Sequence, residues 1–560
     1  MVRAKKAKKP LPKALRVVKR IFQTAGMIVL AAVILFLIFF GKVLFRTLYK
    51  GFDTGYKTVD VRMTTEQKIK DLDYMYDLVC LQNPKKELFE QAYGISYDDV
   101  YKKYRKIIEE TKSEYEFLSY MSCFLAELPG EHNLMWLPDY KNSCANMGYA
   151  MNDIYGTQKM KDYTYSWMEY FRDDVKKYAD YKPLEFNYVG GKYIAYDKYN
   201  EKYAGGTILT LNGRDPKDMC FDFFERFAPT YDGINKCYYR YYLFFNDRSG
   251  VKYTAEILMA DGTTVTAELY ADPGYTIAFF DGPKAYPEAD AKPAENKSSQ
   301  DVMADDYVPT TYKIATDKAK KLVYLESIEC NTLEGRQRLV RDLQNALDEV
   351  NAETVIVDLR RNPGGSSNYA YDILLPLLFS HDVDFSPRIV GKLNKHTKQY
   401  DSAINRILFT SDWKITKKDG YYYFNEKASV KGKATRNYKI YVLTSTDTFS
   451  TADIVTAICK RYDNAVIVGT NTGGEGIGGN PINCILPESN FGFIYVPTVN
   501  VDYPEDGIKG IEPDIWSGRT VEEYRMAESL AKQGKDPSSY EVRQIWDGTL
   551  NKVLKMISGQ

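Results

Sequence analysis

Three segments of this chain each join an apolar, strand-like run to a turn that can hold developing charge. The first is Val355–Gly365, in which Asp358, Leu359, Arg360, Arg361 and Asn362 lead into Pro363-Gly364-Gly365. A Pro-Gly-Gly turn can present backbone N–H groups to an oxyanion, and Asp358 with Arg360 can brace it as an ion pair. The same residues also suit an ordinary strand-to-helix turn. The second is Tyr441–Val455, a strand followed by the hydroxyl-rich stretch Ser445-Thr446-Asp447-Thr448-Phe449-Ser450 and a helix expected to begin near Thr451. A serine at that point can cap the helix. It can also act as a nucleophile, because the field of a helix N-terminus favours developing negative charge. The third is Val466–Gly476, a strand running into Thr472-Gly473-Gly474-Glu475-Gly476. Its reading as a phosphate cradle is weak, since no GK[ST] ending follows.

A serine hydroxyl needs a base near pKa 7, and imidazole is the side chain that supplies one. The chain has 3 histidines: His132, His381 and His396. His132 follows Leu128-Pro129-Gly130-Glu131 at the end of a helix-like stretch. His381 lies in a turn, and His396 in a solvated basic run. The 8 cysteines form neither a CxxC pair nor a Cys/His zinc spacing, so no metal is expected, and no cofactor fingerprint is present. Cys220 and Cys237 could close a loop in an oxidising compartment, and buried free thiols are the other reading. Lys+Arg and Asp+Glu both total 75, which gives no reason to expect a nucleic-acid partner.

These segments must be positioned by several folded units, because 560 residues exceed one compact domain. Residues 1–20 form a basic, cytoplasmic tail. Residues 21–41 are uncharged and rich in Ile, Leu, Val and Phe, spanning roughly 31 Å as a helix. The positive flank before them predicts a single-pass membrane anchor with everything downstream outside the cytoplasm. The run ends in Phe39-Phe40-Gly41-Lys42, with none of the small residues that mark a cleaved signal peptide. Residues 46–180 read as a helical domain carrying His132, with Leu72, Met75, Leu78 and Val79 at helical spacing. Residues 185–275 switch to short strands with Asn212-Gly213 and Asp261-Gly262 turns and a helix near 216–227. Residues 281–310, with Pro283, Pro287 and Pro293, read as a linker. Residues 311–517 alternate strands and helices, and the unbroken apolar run of Thr354–Leu359 predicts a buried parallel strand in a layered α/β core. A helical tail occupies residues 518–560.

In this order and spacing the segments resemble the carboxy-terminal processing (tail-specific) and tricorn-like serine peptidases. The resemblance covers roughly residues 61–517, and its most specific part is the stretch Asp358-Leu359-Arg360-Arg361-Asn362-Pro363-Gly364-Gly365. Gly510-Ile511-Glu512-Pro513-Asp514 resembles the family's closing motif, and residues 185–275 resemble its PDZ-like module. The resemblance implies a multidomain α+β and α/β architecture with a crotonase-like catalytic core. It implies Ser450 as nucleophile and oxyanion donors from the backbone of Gly364 or Gly365 and Thr451, without a cofactor. It implies an extended peptide or protein as substrate, bound by strand addition, with Gly190-Gly191-Lys192-Tyr193 as a candidate carboxylate loop.

One departure matters. Glu475 stands where the bacterial tail-specific branch carries its lysine base, and Gly479 where that branch often has glutamine. The Ser–Lys dyad is therefore missing. The tricorn-like branch takes its base from the helical region, and on that pattern His132 is the base. Glu505 orients it as third member of a triad, with Asp506 as the alternative. The function expected is that of an extracytoplasmic serine endopeptidase. The rival expectation is an inactive peptide- or ligand-binding protein on the same fold.

Overall fold

The computed structural model describes residues 56–128, 132–136, 158–178, 186–195, 201–219, 230–239, 252–270, 311–330, 336–392, 394, 413–426, 428–462, 465–474, 476, 481–502 and 506–559, with isolated positions in 24–36. It forms two compact units, residues 1–59 with 138–165 and residues 60–137 with 166–560. In the first, Tyr56 stacks on Tyr165 at 4.7 Å, and the Lys57 N–H donates to Asp162 Oδ1 at 2.8 Å. Most of the expected anchor at 21–41 falls outside the described residues. Thr24, Gly26, Val29, Leu30, Ala31, Val33 and Phe36 within it are helical. Among the described residues no helix is long and apolar enough to cross a membrane. The expected linker at 281–310 also lies outside them.

The second unit begins with four helices, α1 (Thr65–Tyr76), α2 (Lys86–Tyr93), α3 (Tyr97–Glu109) and α4 (Glu114–Glu127). Thr64, Ser96 and Ser113 cap α1, α3 and α4 by accepting a backbone N–H, which satisfies donors the helix start leaves free. Leu72, Met75, Leu78 and Val79 are buried as their spacing predicts, although residues 77–81 wind as a π-helix. The helical reading of 46–180 missed a short strand, β1 (Leu134–Trp136), whose partner lies far along the chain. After helix α5 (Gln158–Tyr178), the strands β2 (Phe186–Val189), β3 (Lys192–Ala195), β4 (Thr207–Leu211), β7 (Lys252–Leu258) and β8 (Thr264–Tyr270) form an antiparallel sheet in the order β2-β3-β4-β7-β8. The hairpin β5 (Thr230–Asp232)–β6 (Cys237–Tyr239) stands beside it. Where a helix was expected near 216–227, residues Pro216–Met219 form a single 3-10 turn, and those beyond lie outside the described residues.

The core is a six-stranded sheet in the order β22-β18-β17-β11-β10-β9: β9 (Tyr312–Asp317), β10 (Leu322–Ser327), β11 (Thr354–Asp358), β17 (Lys439–Thr444), β18 (Val466–Gly469) and β22 (Ile515–Trp516). All neighbours are parallel except β9 against β10. Side chains alternate across a strand. Val323, Leu325, Val355, Val357, Val442 and Ile467 pack with helix α6 (Arg336–Glu349), the helical turns at Tyr369–Leu378 that end in α7 (Leu375–Leu378), and helix α8 (Thr451–Tyr462). Tyr324, Ile356, Tyr441, Leu443 and Val468 face the other way, onto Tyr540, Leu550, Val553 and Leu554 of the C-terminal region. The expected tail is thus one face of the core. Its helices are α10 (Val521–Lys532), α11 (Tyr540–Trp546) and α12 (Gly548–Ser558); the short α9 (Asp506–Lys509) precedes them.

Three further sheets take strands from the chain between β11 and β22. One has the order β14-β15-β13-β21: β13 (Arg388–Lys392), β14 (Trp413–Lys418), β15 (Tyr421–Glu426) and β21 (Thr498–Asn500). β12 (Val383–Phe385) pairs with β16 (Ala428–Val430). The hairpin β19 (Ile482–Ile485)–β20 (Gly492–Tyr495) receives β1 as a third antiparallel strand, Leu134 opposite Ile494 and Trp136 opposite Gly492. This pairing carries the segment with His132 to the core. Cys80, Cys123, Cys237, Cys330, Cys459 and Cys484 form no disulfide among the described residues, and Cys144 and Cys220 lie outside them.

Candidate active site

The three strand-to-turn segments meet at the ends of β11, β17 and β18, adjacent parallel strands. Parallel pairing aligns those ends, so the turns leave the sheet side by side. Ser450 has φ +55°, a left-handed conformation that costs an ordinary residue about 1–3 kcal/mol and is found at constrained functional positions. The surroundings hold it there. Its N–H donates to the Gly474 carbonyl at 3.1 Å, its carbonyl accepts from Ile454 at 3.1 Å, and the Phe449 N–H donates to the Asn362 carbonyl at 3.1 Å. Ser450 therefore stands one residue ahead of α8, held from both flanking turns.

Two buried side chains whose roles the sequence left unassigned hold these turns together. Asn362 Nδ2 donates to the Ser327 carbonyl and Oγ, each at 3.0 Å, while its Oδ1 accepts the Gly364 N–H at 2.9 Å. Asp453, in the first turn of α8, accepts from Thr472 Oγ1 at 2.6 Å and from the Gly476 N–H at 3.2 Å. Thr472 Oγ1 in turn accepts the Ile511 N–H at 2.7 Å, tying the glycine-rich turn to the closing motif. The expected ion pair is present and belongs to a larger buried cluster. Arg360 grips Asp358 (Nη2–Oδ2 2.6 Å) and Asp547 (Nη2–Oδ2 2.6 Å), and Arg543 pairs with Glu326 at 2.6 Å. Burial pushes the Asp358 carboxyl up, but Arg360 and Arg543 overcome it and hold the group well below the usual carboxylate range. The Cys330 thiol beside the turn is pushed up to about 12 by burial and stays neutral.

The geometry revises the oxyanion assignment. Gly364 was expected as a possible donor, but its N–H is spent on Asn362 Oδ1. Gly365 and Thr451 donate their N–H groups to no acceptor among the described residues. Gly364 matters in another way: a Cβ there would lie 2.7 Å from Ser450 Cβ and 2.9 Å from the Thr451 nitrogen. Residue 364 can lie this close to the serine only because it has no side chain.

His132 is brought to this place by β1. Its ring packs on that of Phe449, the residue before Ser450, with centroids 4.6 Å apart. Among the other histidines, His381 stacks near Phe379 at 6.1 Å, and His396 lies outside the described residues. Glu505, Glu475 and Gly479 also lie outside them; Asp506 is described only as the first residue of α9. Gly190 and Gly191, expected as a carboxylate loop, form the tight turn of the β2–β3 hairpin with φ +55° and +80°, and a Cβ on Gly190 would meet the Arg519 carbonyl at 3.1 Å. Within the described residues no group of three or more His, Cys, Asp or Glu could hold a metal ion.

A constrained serine turn at the end of a parallel α/β core is what this arrangement defines. Residues 323–517 match the sequence profile of the family described as peptidase family S41. This stretch is a peptidase family S41 domain, which supports serine peptidase chemistry. The crystal structure of mature CPAF is similar at 15% identity, covering 89% of this chain and 98% of that one with a TM-score of 0.51. Mature CPAF complexed with lactacystin is similar at 15% identity, covering 89% and 99% with a TM-score of 0.50. The photosystem II D1 C-terminal processing protease aligns at 14% identity over 81% of this chain and 94% of that one, with a TM-score of 0.34. At these identities the likeness to CPAF speaks to the fold alone. No curated protein matches the chain by sequence.

Proposed function

We propose that this chain is a membrane-anchored serine endopeptidase acting on extracytoplasmic proteins or peptides. The observation that carries the reading is the packing of the His132 ring on Phe449, next to Ser450. Ser450 Oγ attacks the scissile carbonyl carbon and passes its proton to His132. The N–H groups of Gly365 and Thr451 take the charge that develops on the carbonyl oxygen. His132 then gives the proton to the departing amine, leaving an acyl-enzyme. Water attacks that ester with His132 again as base, releasing the acid and restoring the serine. Glu505 is the group assigned to orient the imidazole. The sheet containing β2–β4, β7 and β8 acts as a PDZ-like module that adds an extended peptide as a strand, and residues 21–41 hold the enzyme at the membrane.

The test is labelling of the purified chain by a fluorophosphonate, with lactacystin as a second probe because a CPAF structure contains it. Labelling should map to Ser450 and vanish in Ser450→Ala. Turnover of a peptide library should fall on the order of 10⁴-fold in Ser450→Ala and nearly as far in His132→Ala. A chain that neither labels nor cleaves, yet binds peptides, would be the inactive binding protein. The anchor is checked by carbonate extraction, where a chain released from membranes argues against it.

A further inference from the structure

A second cleft, of ≈ 1000 Å³, opens between the β2 edge, residues 444–447 ahead of the nucleophile turn, and the C-terminal helices. Several charges on its wall are paired, among them Arg360 with Asp358 and Asp547, and Arg543 with Glu326. Arg519 differs. No carboxylate among the described residues pairs with it, and its guanidinium carbon lies 5.0 Å from the Tyr524 ring centroid and 4.9 Å from that of Trp546. Held between two aromatic rings, a guanidinium keeps its plane and presents its N–H fork in a fixed direction. Thr520 and Glu523 already satisfy the start of α10 through a capping box, so the charge on offer belongs to the side chain. Surrounding protein lowers the Arg519 pKa despite Tyr524 and Asp547. The side chain itself remains open to solvent. In the same cleft Asn187 Oδ1 is buried and accepts no hydrogen bond among the described residues, while its Nδ2 donates to the Tyr524 hydroxyl at 3.4 Å.

We propose that Arg519 anchors a carboxylate-binding site, in which the guanidinium grips a peptide's carboxylate through two parallel hydrogen bonds and Asn187 Oδ1 accepts a nearby peptide N–H. Cation and acceptor are linked through Tyr524, which stacks on one and bonds the other, so a ligand offering an anion and an N–H meets both. The carboxylate has two possible sources, a free C-terminus or an acidic side chain. The proposal rests on the peptidase reading only for the choice of a peptide as carrier.

Binding is measured on the full chain carrying Ser450→Ala, so that cleavage does not enter. The probes are N-acetyl-tri-alanine with a free C-terminus, its C-terminal amide, and the amide of N-acetyl-Ala-Asp-Ala. The free acid should bind at least tenfold tighter than its amide. If the Asp-bearing amide binds as well as the acid, the carboxylate is that of a side chain. If it binds no better than the plain amide, the carboxylate is terminal. Either outcome supports the site. Arg519→Gln should abolish the preference without lowering the melting temperature by more than a few degrees, because no ion pair is lost. Arg519→Lys keeps the charge without the fork, and should fold while losing most of the preference. Equal binding of all three probes, or an acid preference that survives both substitutions, overturns the proposal. It would leave fluorophosphonate labelling of Ser450 unaffected.

Discussion

A β-carbon added to Gly364 would stand 2.7 Å from the Cβ of Ser450, closer than such atoms approach in folded proteins. Gly364 also has φ +96°, where side chains are strained. The Gly364→Ala enzyme should therefore lose about 10²–10³-fold in kcat/KM, the scale of a disrupted oxyanion site. The methyl group displaces the serine or fills the space in front of it. Gly364 is buried in its turn, so the methyl group should lower the melting temperature as well, and activity is compared per fluorophosphonate-labelled serine. Wild-type turnover in this variant would show that the carbonyl binds elsewhere.

The buried cluster around Arg360 makes the C-terminus part of the catalytic scaffold. Asp547 Oδ1 accepts from Arg360 at 2.9 Å and also caps α12 at the Leu550 N–H. Removing one partner from a buried ion pair typically costs about 3–5 kcal/mol, because the remaining charge is left uncompensated. Asp547→Ala should destabilise on that scale in chemical denaturation and reduce activity through the turn that Arg360 braces. The pH dependence has a definite sign. Burial raises the Asp358 and Asp547 carboxyls, but Arg360 outweighs it and depresses both. Their contribution is present above the unfolded carboxylate pKa of about 3.9 and is lost as pH falls through the folded values. Stability should decline on acidification below about pH 4, and less steeply in Asp547→Ala. A variant as stable as wild type at pH 7 would contradict this.

What the sequence disclosed was local. Thr354–Asp358 is an unbroken apolar run and Gly364-Gly365 a conspicuous turn, so strand and loop were legible without knowing what they faced. Asn362 and Asp453 were visible as residues, yet their roles were not, because their partners Ser327, Thr472 and Gly476 are distant in the chain and follow no periodicity. β1 is three residues long and exists because β20 pairs with it, so no propensity marks it. The tail's helices could be read from their apolar spacing, but that they cover the core sheet and supply Asp547 depends on tertiary packing. The tricorn-like resemblance singled out His132 as base. Its place beside Phe449 emerged only when β1 joined the hairpin β19–β20.

The turn of that hairpin rests on a buried carboxyl from α1. Asp71 on α1 accepts the backbone N–H groups of Glu488 at 2.8 Å and Ser489 at 2.9 Å, at the turn between β19 and β20. Burial outweighs these bonds and raises its pKa to about 6. Between about pH 4 and about pH 6 the folded chain thus holds a proton that the unfolded chain has released. The stabilising contribution is complete below the unfolded pKa and is lost as pH rises through the folded one. Asp71→Asn cannot titrate, so wild-type stability minus that of the variant should fall as pH rises across this window. A flat or rising difference would reject the assignment.

The last prediction concerns Phe449, which touches His132 without being assigned any proton. The imidazole and phenyl rings lie 4.6 Å apart at an interplanar angle of 38°. On the proposed mechanism Phe449 is a positioning residue that limits where the base can turn. Phe449→Ala removes that wall and should lower kcat by about 10–100-fold, since displacement of a catalytic group by around 1 Å costs on this order. KM should change little, because the substrate is held elsewhere. A purely structural role would lower the yield of folded enzyme and leave kcat per labelled serine unchanged. Titrating active sites with a fluorophosphonate separates the two. Phe449→Tyr keeps the ring and should retain most of the activity. If kcat per labelled site in Phe449→Ala equals wild type, the ring contact with His132 does no catalytic positioning, and the case for His132 as base loses its chief support.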